Sequence, residues 1–71
     1  MRLRPVESEM LVAAGYDHNS RILQVVFTTG GTYRYKNVPS DKYDELMSAE
    51  SIGQYMHKHI IGHYEYERFV T

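Results

Sequence analysis

The sequence predicts a small α+β domain, in which a three-stranded antiparallel meander is followed by two helices packed on one face of the sheet. Two observations predict this arrangement. Before Pro39 the apolar residues alternate with a period of two between short turn sequences. After Pro39 they recur at helical spacing. The 71 residues leave room for one hydrophobic core, so we expect a single domain spanning residues 1–71.

The three predicted strands are separated by two short turns. The strands are residues 10–16, residues 21–27 and residues 32–36. The first turn, Asp-His-Asn-Ser, is rich in side chains that hydrogen-bond to their own backbone. Pro39 ends the sheet because proline has no N–H group to donate to a neighbouring strand.

The glycine turn before the third strand decides which face its tyrosines occupy. A two-residue turn over residues 29–30 would put Tyr33 and Tyr35 on the face opposite Phe27, where they could stack on a ligand. A three-residue loop over residues 29–31, ending in a left-handed glycine, would pair Phe27 with Tyr33 and turn both tyrosines toward the core. Turn preferences favour the three-residue loop, because Thr-Gly is a weak two-residue turn.

The favoured loop separates the two kinds of side chain on the third strand. Successive side chains of a strand point to opposite faces. With the tyrosine rings beneath the helices, Arg34 and Lys36 occupy the open face of the sheet.

Two helices are predicted after the sheet. Ser40 is the expected N-cap of the first, which runs through Met47 and carries acidic residues near its positive end. The second spans residues 51–61 and ends at Gly62. Its expected buried stripe is Ile52, Tyr55, Met56, His59 and Ile60. The tail, residues 63–71, contains three aromatic residues, so we expect it to pack against the domain.

Charge is balanced overall but unevenly distributed. Eight basic and nine acidic residues give a net charge of −1, so no global field favours nucleic acid. However, residues 18–40 and residues 51–64 contain no acidic residue, and together they hold all four histidines. If these two acid-free stretches meet in space, they form a cationic face.

Composition limits the ways in which the fold can be stabilised. The chain has no cysteine, which excludes disulfides and thiolate zinc sites. A domain of this size must then be stabilised by good packing or by association into a homo-oligomer. No apolar run is long enough to span a membrane, and the first residues are too polar for a signal peptide. We therefore expect a cytoplasmic protein without membrane contact.

Neither a metal site nor a catalytic site is expected. His57, His59 and His63 are close in sequence, but Gly62 interrupts their helix and no carboxylate is placed to complete a ligand set. The serines read as helix caps and turn residues, without a nucleophile motif. We expect a non-enzyme that needs no cofactor.

The segment Ser51-Ile52-Gly53 allows two interpretations. Its glycine could let an anion approach the backbone at a helix N-terminus, with Ser51 and Gly53 as the contacts. The favoured interpretation is that the glycine marks a tight contact between helix and sheet, because glycine commonly marks close packing.

The order of short motifs along nearly the whole chain resembles one family. The motifs are Val6-Glu7-Ser8, Gly15-Tyr16-Asp17, Leu23-x-Val25-x-Phe27, Gly30-Gly31-x-Tyr33-x-Tyr35, Val38-Pro39, Ser51-x-Gly53-x-Tyr55, His59-Ile60 and Gly62-x-Tyr64-x-Tyr66. The chain resembles the KTSC domain, a short bacterial and phage module named for its occurrence at the C-terminus of some lysyl-tRNA synthetases. The resemblance implies an RNA-binding role, suggested by that attachment.

Two functions from different classes are compatible with these features. The first is a small binding module that contacts RNA or other single-stranded nucleic acid. Its candidate contacts are Arg34, Lys36, Lys58 and Arg68 for phosphate, with His57 nearby, and Tyr64 and Tyr66 for stacking. The alternative is a protein-interaction or regulatory module acting on a larger protein, because tyrosine is enriched at protein interfaces.

Overall fold

A five-stranded antiparallel sheet and two helices form the domain. The computed structural model describes residues 2–69. Its strands are β1 (Arg4–Pro5), β2 (Leu11–Asp17), β3 (Ile22–Phe27), β4 (Thr32–Tyr35) and β5 (Tyr66–Phe69). The helices are α1 (Ser40–Ser48) and α2 (Ile52–Tyr55), the latter continuing into a π-helical turn (Met56–Ile60). The strands lie side by side in chain order, and the helices are inserted between β4 and β5.

The α+β class is confirmed, but the predicted three-stranded meander lacks both edge strands of the actual sheet. β1 pairs Arg4 with Ala14 on β2, and β5 pairs Tyr66 with Tyr35 on β4. β1 is two residues long and includes a proline, so it carries no alternating pattern. The tail does pack against the domain as expected, and it does so as a strand as far as Phe69; residues 70–71 lie outside the described range.

The glycine turn between β3 and β4 has the predicted length but starts one residue earlier. Its loop consists of residues 28–30, because the Phe27 N–H donates to the Gly31 carbonyl at 3.1 Å. The Gly30 N–H donates to the Phe27 carbonyl at 3.0 Å. Gly30 and Gly31 both have φ of 97°, which is the conformation that favours glycine.

The earlier loop shifts the strand register by two residues. Tyr33 pairs with Val25, and Tyr35 with Leu23, so the expected pairing of Phe27 with Tyr33 is wrong. Because side chains alternate with a period of two, a shift of two keeps every residue on its face. The prediction that both tyrosine rings face the core is therefore confirmed: Tyr35 is buried and Tyr33 is half-buried against it.

The helix boundaries correct one prediction and confirm another. Pro39, not Ser40, occupies the N-cap of α1, and Ser40 is the first helical residue. At α2 the predicted start is confirmed, since the Ser51 hydroxyl accepts a hydrogen bond from the Gln54 N–H at 3.3 Å. This side-chain cap satisfies a backbone donor that would otherwise lack a partner.

The second helix widens in its last turn. The Ile61 N–H donates to the Met56 carbonyl five residues earlier, at 2.7 Å. This π-helical turn admits one more residue than an α-helical turn and changes which side chains point inward. Met56 and Ile60 are buried as expected, but His59 is exposed, and its ring lies 4.5 Å from that of Tyr55.

The hydrophobic core lies between one face of the sheet and the helices. Its buried residues are Leu11, Ala14, Leu23, Val25, Tyr35, Val38, Leu46, Met56 and Ile60. The Tyr16 hydroxyl donates to the Val38 carbonyl and ties the segment after β4 to β2. We call this helix-covered side the cleft face, and the opposite side the open face.

The N-terminal segment crosses the open face at Gly15. A Cβ atom at Gly15 would lie 2.6 Å from the Arg2 carbonyl oxygen and 3.0 Å from the Leu3 side chain. Real Cβ atoms do not approach a carbonyl that closely, so only glycine permits this crossing.

A candidate nucleic-acid interface

The pairing of β4 with β5 divides the predicted contact residues between the two faces of the sheet. Tyr33 lies opposite Arg68, and Tyr35 opposite Tyr66, so these four residues share the cleft face. Arg34 lies opposite Glu67, and Thr32 opposite Phe69, so these four share the open face. The predicted phosphate contacts Arg34 and Arg68 therefore point to opposite sides.

On the cleft face, aromatic rings line a cleft of about 550 Å³. We call it the aromatic cleft; its lining residues are Phe27, Thr29, Gly30, Tyr33, Tyr35, Ile61, Gly62, Tyr66 and Arg68. The β3–β4 hairpin supplies one wall, the loop after the π-helical turn supplies the second, and β5 supplies the third. Such aromatic-lined hollows of several hundred Å³ are typical of ligand sites.

Three tyrosine rings in the cleft are mutually adjacent. The Tyr66 ring centroid lies 5.2 Å from that of Tyr33 and 5.5 Å from that of Tyr35, and the Tyr33 and Tyr66 planes are within 23° of parallel. Phe27 meets Tyr33 edge-on at 4.9 Å. Tyr66 is 55% exposed, so much of this outermost ring remains accessible to another planar group.

Arg68 is the cation of the aromatic cleft. Its guanidinium carbon lies 5.8 Å from the Tyr33 ring centroid. The backbone of Gly31 lies alongside, since a Cβ there would be 3.5 Å from the Arg68 Nε atom. Within residues 2–69 the guanidinium forms no salt bridge, and no carboxylate lines the cleft. The charge is thus held against an aromatic face and left available to an anion.

The two acid-free stretches of the sequence meet at this cleft. The first supplies Phe27 and the hairpin with its tyrosines, and the second supplies Ile61 and Gly62. The convergence that the sequence left open therefore occurs, but the surface is aromatic, with Arg68 from outside both stretches as its cation, and is not a broad cationic face.

Burial keeps the Tyr35 hydroxyl uncharged. It raises the pKa of Tyr35 to about 12, and the neighbouring Tyr33 and Tyr66 add to the effect. A neutral phenol can both donate and accept a hydrogen bond. Tyr35 therefore adds no negative charge to the cleft in the physiological range, and Arg68 supplies its positive charge.

On the open face, the cations already have partners. The Arg34 Nε atom donates to the Gln24 Oε1 atom at 2.8 Å, and the guanidinium lies 4.6 Å from the Phe69 ring centroid. Lys36 Nζ forms a salt bridge of 2.8 Å with Glu67 Oε1. This pairing raises the pKa of Lys36 and lowers that of Glu67, chiefly through their mutual hydrogen bond. A phosphate would have to compete with these contacts.

The remaining predicted contacts are scattered. Lys58 lies in a shallow hollow with Glu50, and Tyr64 lies half-buried against the core. Lys36 also borders a hollow with His63, next to the aromatic cleft, but Glu65 lines it too. The sheet and helices do not bring these side chains together with Arg68.

The proposed anion contact at Ser51 and Gly53 lies in acidic surroundings. Its hollow also contains His57 and three carboxylates, Glu7, Glu9 and Glu50. The Ser51 hydroxyl already caps α2. A Cβ on Gly53 would meet Met10 at an ordinary 3.7 Å, so this glycine lies where the helix packs beside the start of β2. This environment favours a cation over an anion.

Residues 2–69 contain neither a cluster of metal-ligating side chains nor a membrane-spanning helix. No three histidine, cysteine, aspartate or glutamate side chains in this range lie close enough together to hold a metal ion. None of its helices has the length and apolar character needed to cross a bilayer.

Sequence reasoning missed most of the cleft. It named Arg68 and Tyr66 but assigned Tyr33 and Tyr35 to the core alone, and it gave Ile61 no role in a site. The signal that pointed here was the absence of acidic residues from both stretches. The absence of acidic residues predicts that these two segments can form a surface that accepts an anion. It does not predict which side chains form that surface.

Comparisons with known proteins give one consistent result. The family model of the KTSC domain matches residues 7–64. A protein from Tsukamurella paurometabola is 46% identical over 54 residues, which cover 76% of this chain and 81% of that protein. The crystal structure of a KTSC domain protein from Yersinia pestis superposes with a TM-score of 0.91 at 32% identity, covering 96% of both chains.

A larger relative places the same segment in an enzyme. A lysine–tRNA ligase from Nostoc is 38% identical over 66 residues, which cover 93% of this chain but only 12% of the ligase. The similarity therefore concerns a small part of that protein.

Proposed function

Since the chain belongs to the KTSC domain family, we propose that it is a small non-catalytic accessory module that binds single-stranded RNA. The observation that carries the proposal is the aromatic cleft, with three clustered tyrosines, an arginine without a salt bridge in residues 2–69 and no carboxylate in its lining. Unpaired bases stack on aromatic side chains, and arginine binds phosphate. The lysine–tRNA ligase relative, which acts on an RNA, supports this choice of ligand.

Within this proposal the principal contacts are Tyr66 and Arg68. Tyr66 is the most exposed ring of the cleft and stacks on a base, and Arg68 contacts a phosphate. Arg34, Lys36, Lys58, His57 and Tyr64 remain predictions as RNA contacts. Two of them, Arg34 and Lys36, would first have to leave the partners described above.

Titration of labelled single-stranded RNA at low and high salt tests the proposal. We expect binding that weakens as salt rises, because each phosphate contact releases counterions. Tyr66→Ala should weaken binding by about 1–3 kcal/mol, the usual contribution of one stacked base. The matched control is Arg4→Gln on β1, at the opposite edge of the sheet, which should bind as the unaltered protein does. Absence of binding at low salt, or binding without any salt dependence, would reject an RNA function.

A second function is favoured by one specific observation. β5 is an edge strand on which Tyr66 and Phe69 are both exposed, at 55% and 37%. Exposed edge strands can pair with another chain. Capture from a nuclease-treated lysate separates the two functions: a defined protein that binds after nuclease treatment, and that Tyr66→Ala releases, would favour a protein-interaction module.

A further inference from the structure

We propose that the aromatic cleft is a single-nucleotide site, which takes one planar base together with one phosphate. This inference rests on the proposed function but is narrower. It predicts that a free nucleoside monophosphate and an unpaired nucleotide within an RNA strand bind with nearly the same affinity, because the domain offers no continuous track for neighbouring phosphates.

The first argument is the number of charges in the cleft. Arg68 is its cation, and no acidic residue is among the residues that line it. The guanidinium is held beside the Tyr33 ring, so it can contact a phosphate attached to a base that stacks nearby. One available cation matches one phosphate.

The second argument is the position of the other cations. Arg34 projects from the opposite face of β4, Lys36 follows that strand, and each already has a polar partner. Lys36 also borders the hollow next to the cleft, but Glu65 lines that hollow too. Lys58 lies in a separate hollow beside Glu50. A strand leaving the cleft therefore meets no row of cations among residues 2–69, in contrast to grooves that follow an extended backbone.

The third argument is the size and lining of the cleft. About 550 Å³ lies within the range of sites that hold small organic ligands. Its rings offer stacking, and its phenol groups offer hydrogen bonds. Ring faces accept any base, so we expect weak discrimination among the four nucleotides.

Binding of ligands of increasing length tests the inference by NMR chemical-shift titration. The ligands are a nucleoside, its 5′-monophosphate, and single-stranded oligonucleotides of two to ten nucleotides. We expect the monophosphate to bind, with shifts at the Gly30 and Gly62 amides, and affinity per site to change less than roughly threefold with length. For the longest oligonucleotides, the logarithm of affinity should fall with the logarithm of salt with a slope of about −0.7, the value for one phosphate contact on a single strand.

Two variants test which residue binds the phosphate and which residue stacks on the base. Arg68→Met should reduce monophosphate binding to the level of the nucleoside, a loss of roughly tenfold, since a charge-assisted hydrogen bond is removed. Tyr66→Leu should weaken the nucleoside and the monophosphate by a similar roughly tenfold factor, because stacking is lost in both. Arg4→Met on β1, at the opposite edge of the sheet, is the control and should leave both affinities unchanged.

The outcomes separate this inference from the broader function. Affinity that rises steeply with oligonucleotide length, with a salt dependence that corresponds to several phosphate contacts, would overturn the single-nucleotide site. It would still be consistent with an RNA-binding module. Binding of the monophosphate alone, without RNA, would keep the site and identify a free nucleotide as its ligand. Failure of every nucleotide and RNA to bind would overturn both.

Discussion

The two faces of the β4–β5 pair are formed by alternate side chains along the same stretches of chain and have opposite chemical character. On the cleft face, three tyrosines cluster, and the arginine beside Tyr33 has no salt bridge within residues 2–69. On the open face, Arg34 and Lys36 outnumber that single cation, but Gln24 and Glu67 bind them. The comparison teaches that the number of basic residues on a surface is a poor guide to an anion site. What matters is whether each charge already has a partner.

The largest difference between the faces should be in stability. Tyr35→Ala removes a ring that is 2% exposed and should cost about 3–5 kcal/mol of unfolding free energy, as for other buried aromatic residues. Arg34→Ala, one residue away on the open face, should change it by less than about 0.5 kcal/mol. Urea denaturation measures both.

Tyr35→Phe keeps this comparison measurable if the alanine variant does not fold. It preserves the ring and should be nearly neutral at pH 7. Similar losses for Tyr35→Ala and Arg34→Ala would mean that the two faces contribute equally to stability.

The second prediction concerns alkaline pH and the same tyrosine. Its pKa of about 12 in the folded protein exceeds the ordinary 10.0. The neutral form is therefore favoured by folding, so this stabilisation is complete below pH 10 and is lost as the pH rises to about 12. The loss should be on the order of 2–3 kcal/mol.

Tyr35→Phe isolates this effect. The comparison is needed because the pKa of Tyr55 is also raised, by burial and by its hydrogen bond to Glu45. We expect the unfolding free energy of the variant to fall less steeply between pH 10 and 12. Superimposable profiles would show that Tyr35 is not the group responsible.

The third prediction tests the point at which the open face is tightly packed. Gly15→Ala places a methyl group 2.6 Å from the Arg2 carbonyl, so the N-terminal segment must move. We expect a loss of about 1–3 kcal/mol, typical of overpacking. Gly53→Ala is the matched control, since its methyl group meets Met10 at 3.7 Å in a helix, and it should stabilise by about 0.5–1 kcal/mol. Equal effects of the two substitutions would contradict the close crossing at Gly15.

The smallest effect should come from the open-face salt bridge. Lys36→Met removes a pair whose side chains are 42% and 56% exposed, where solvent screens the attraction. Since Lys36 lowers the pKa of Glu67, the pair contributes above the ordinary carboxyl range, and the contribution disappears as the pH falls through the lowered pKa. We expect only a slight change in the urea midpoint at pH 7, and none in high salt. A large loss would show that this pair holds β5 in place.

The sequence predicted the central part of the sheet because its patterns are local. Leu23, Val25, Tyr33 and Tyr35 alternate along their strands, and the facing of the rings was correct even though the loop register was not. An error of two residues in the strand register leaves every side chain on its correct face but changes which residues are paired. The α1 and α2 segments were likewise found from their helical spacing.

The edge strands and the cleft depend on contacts that have no local signal. β5 has one aromatic and one charged residue on each face, so neither face looks apolar in the sequence. The exposed position of His59 follows from the wide turn closed by the Ile61-to-Met56 hydrogen bond, which helical periodicity does not predict. Without β5 in the sheet, Arg68 could not be placed beside Tyr33.

The insertion of both helices between β4 and β5 has a kinetic consequence. The β3–β4 hairpin closes a loop of three residues, whereas β5 can join the sheet only after the thirty residues between Tyr35 and Tyr66 have been arranged. Closing the longer loop costs more chain entropy, so this pairing should come late in folding and open first in the native state. Amide hydrogen exchange should accordingly be faster in β5 than in β3. The third wall of the cleft would then exist only in chains that have completed folding, and a bound ligand would slow the exchange of that strand.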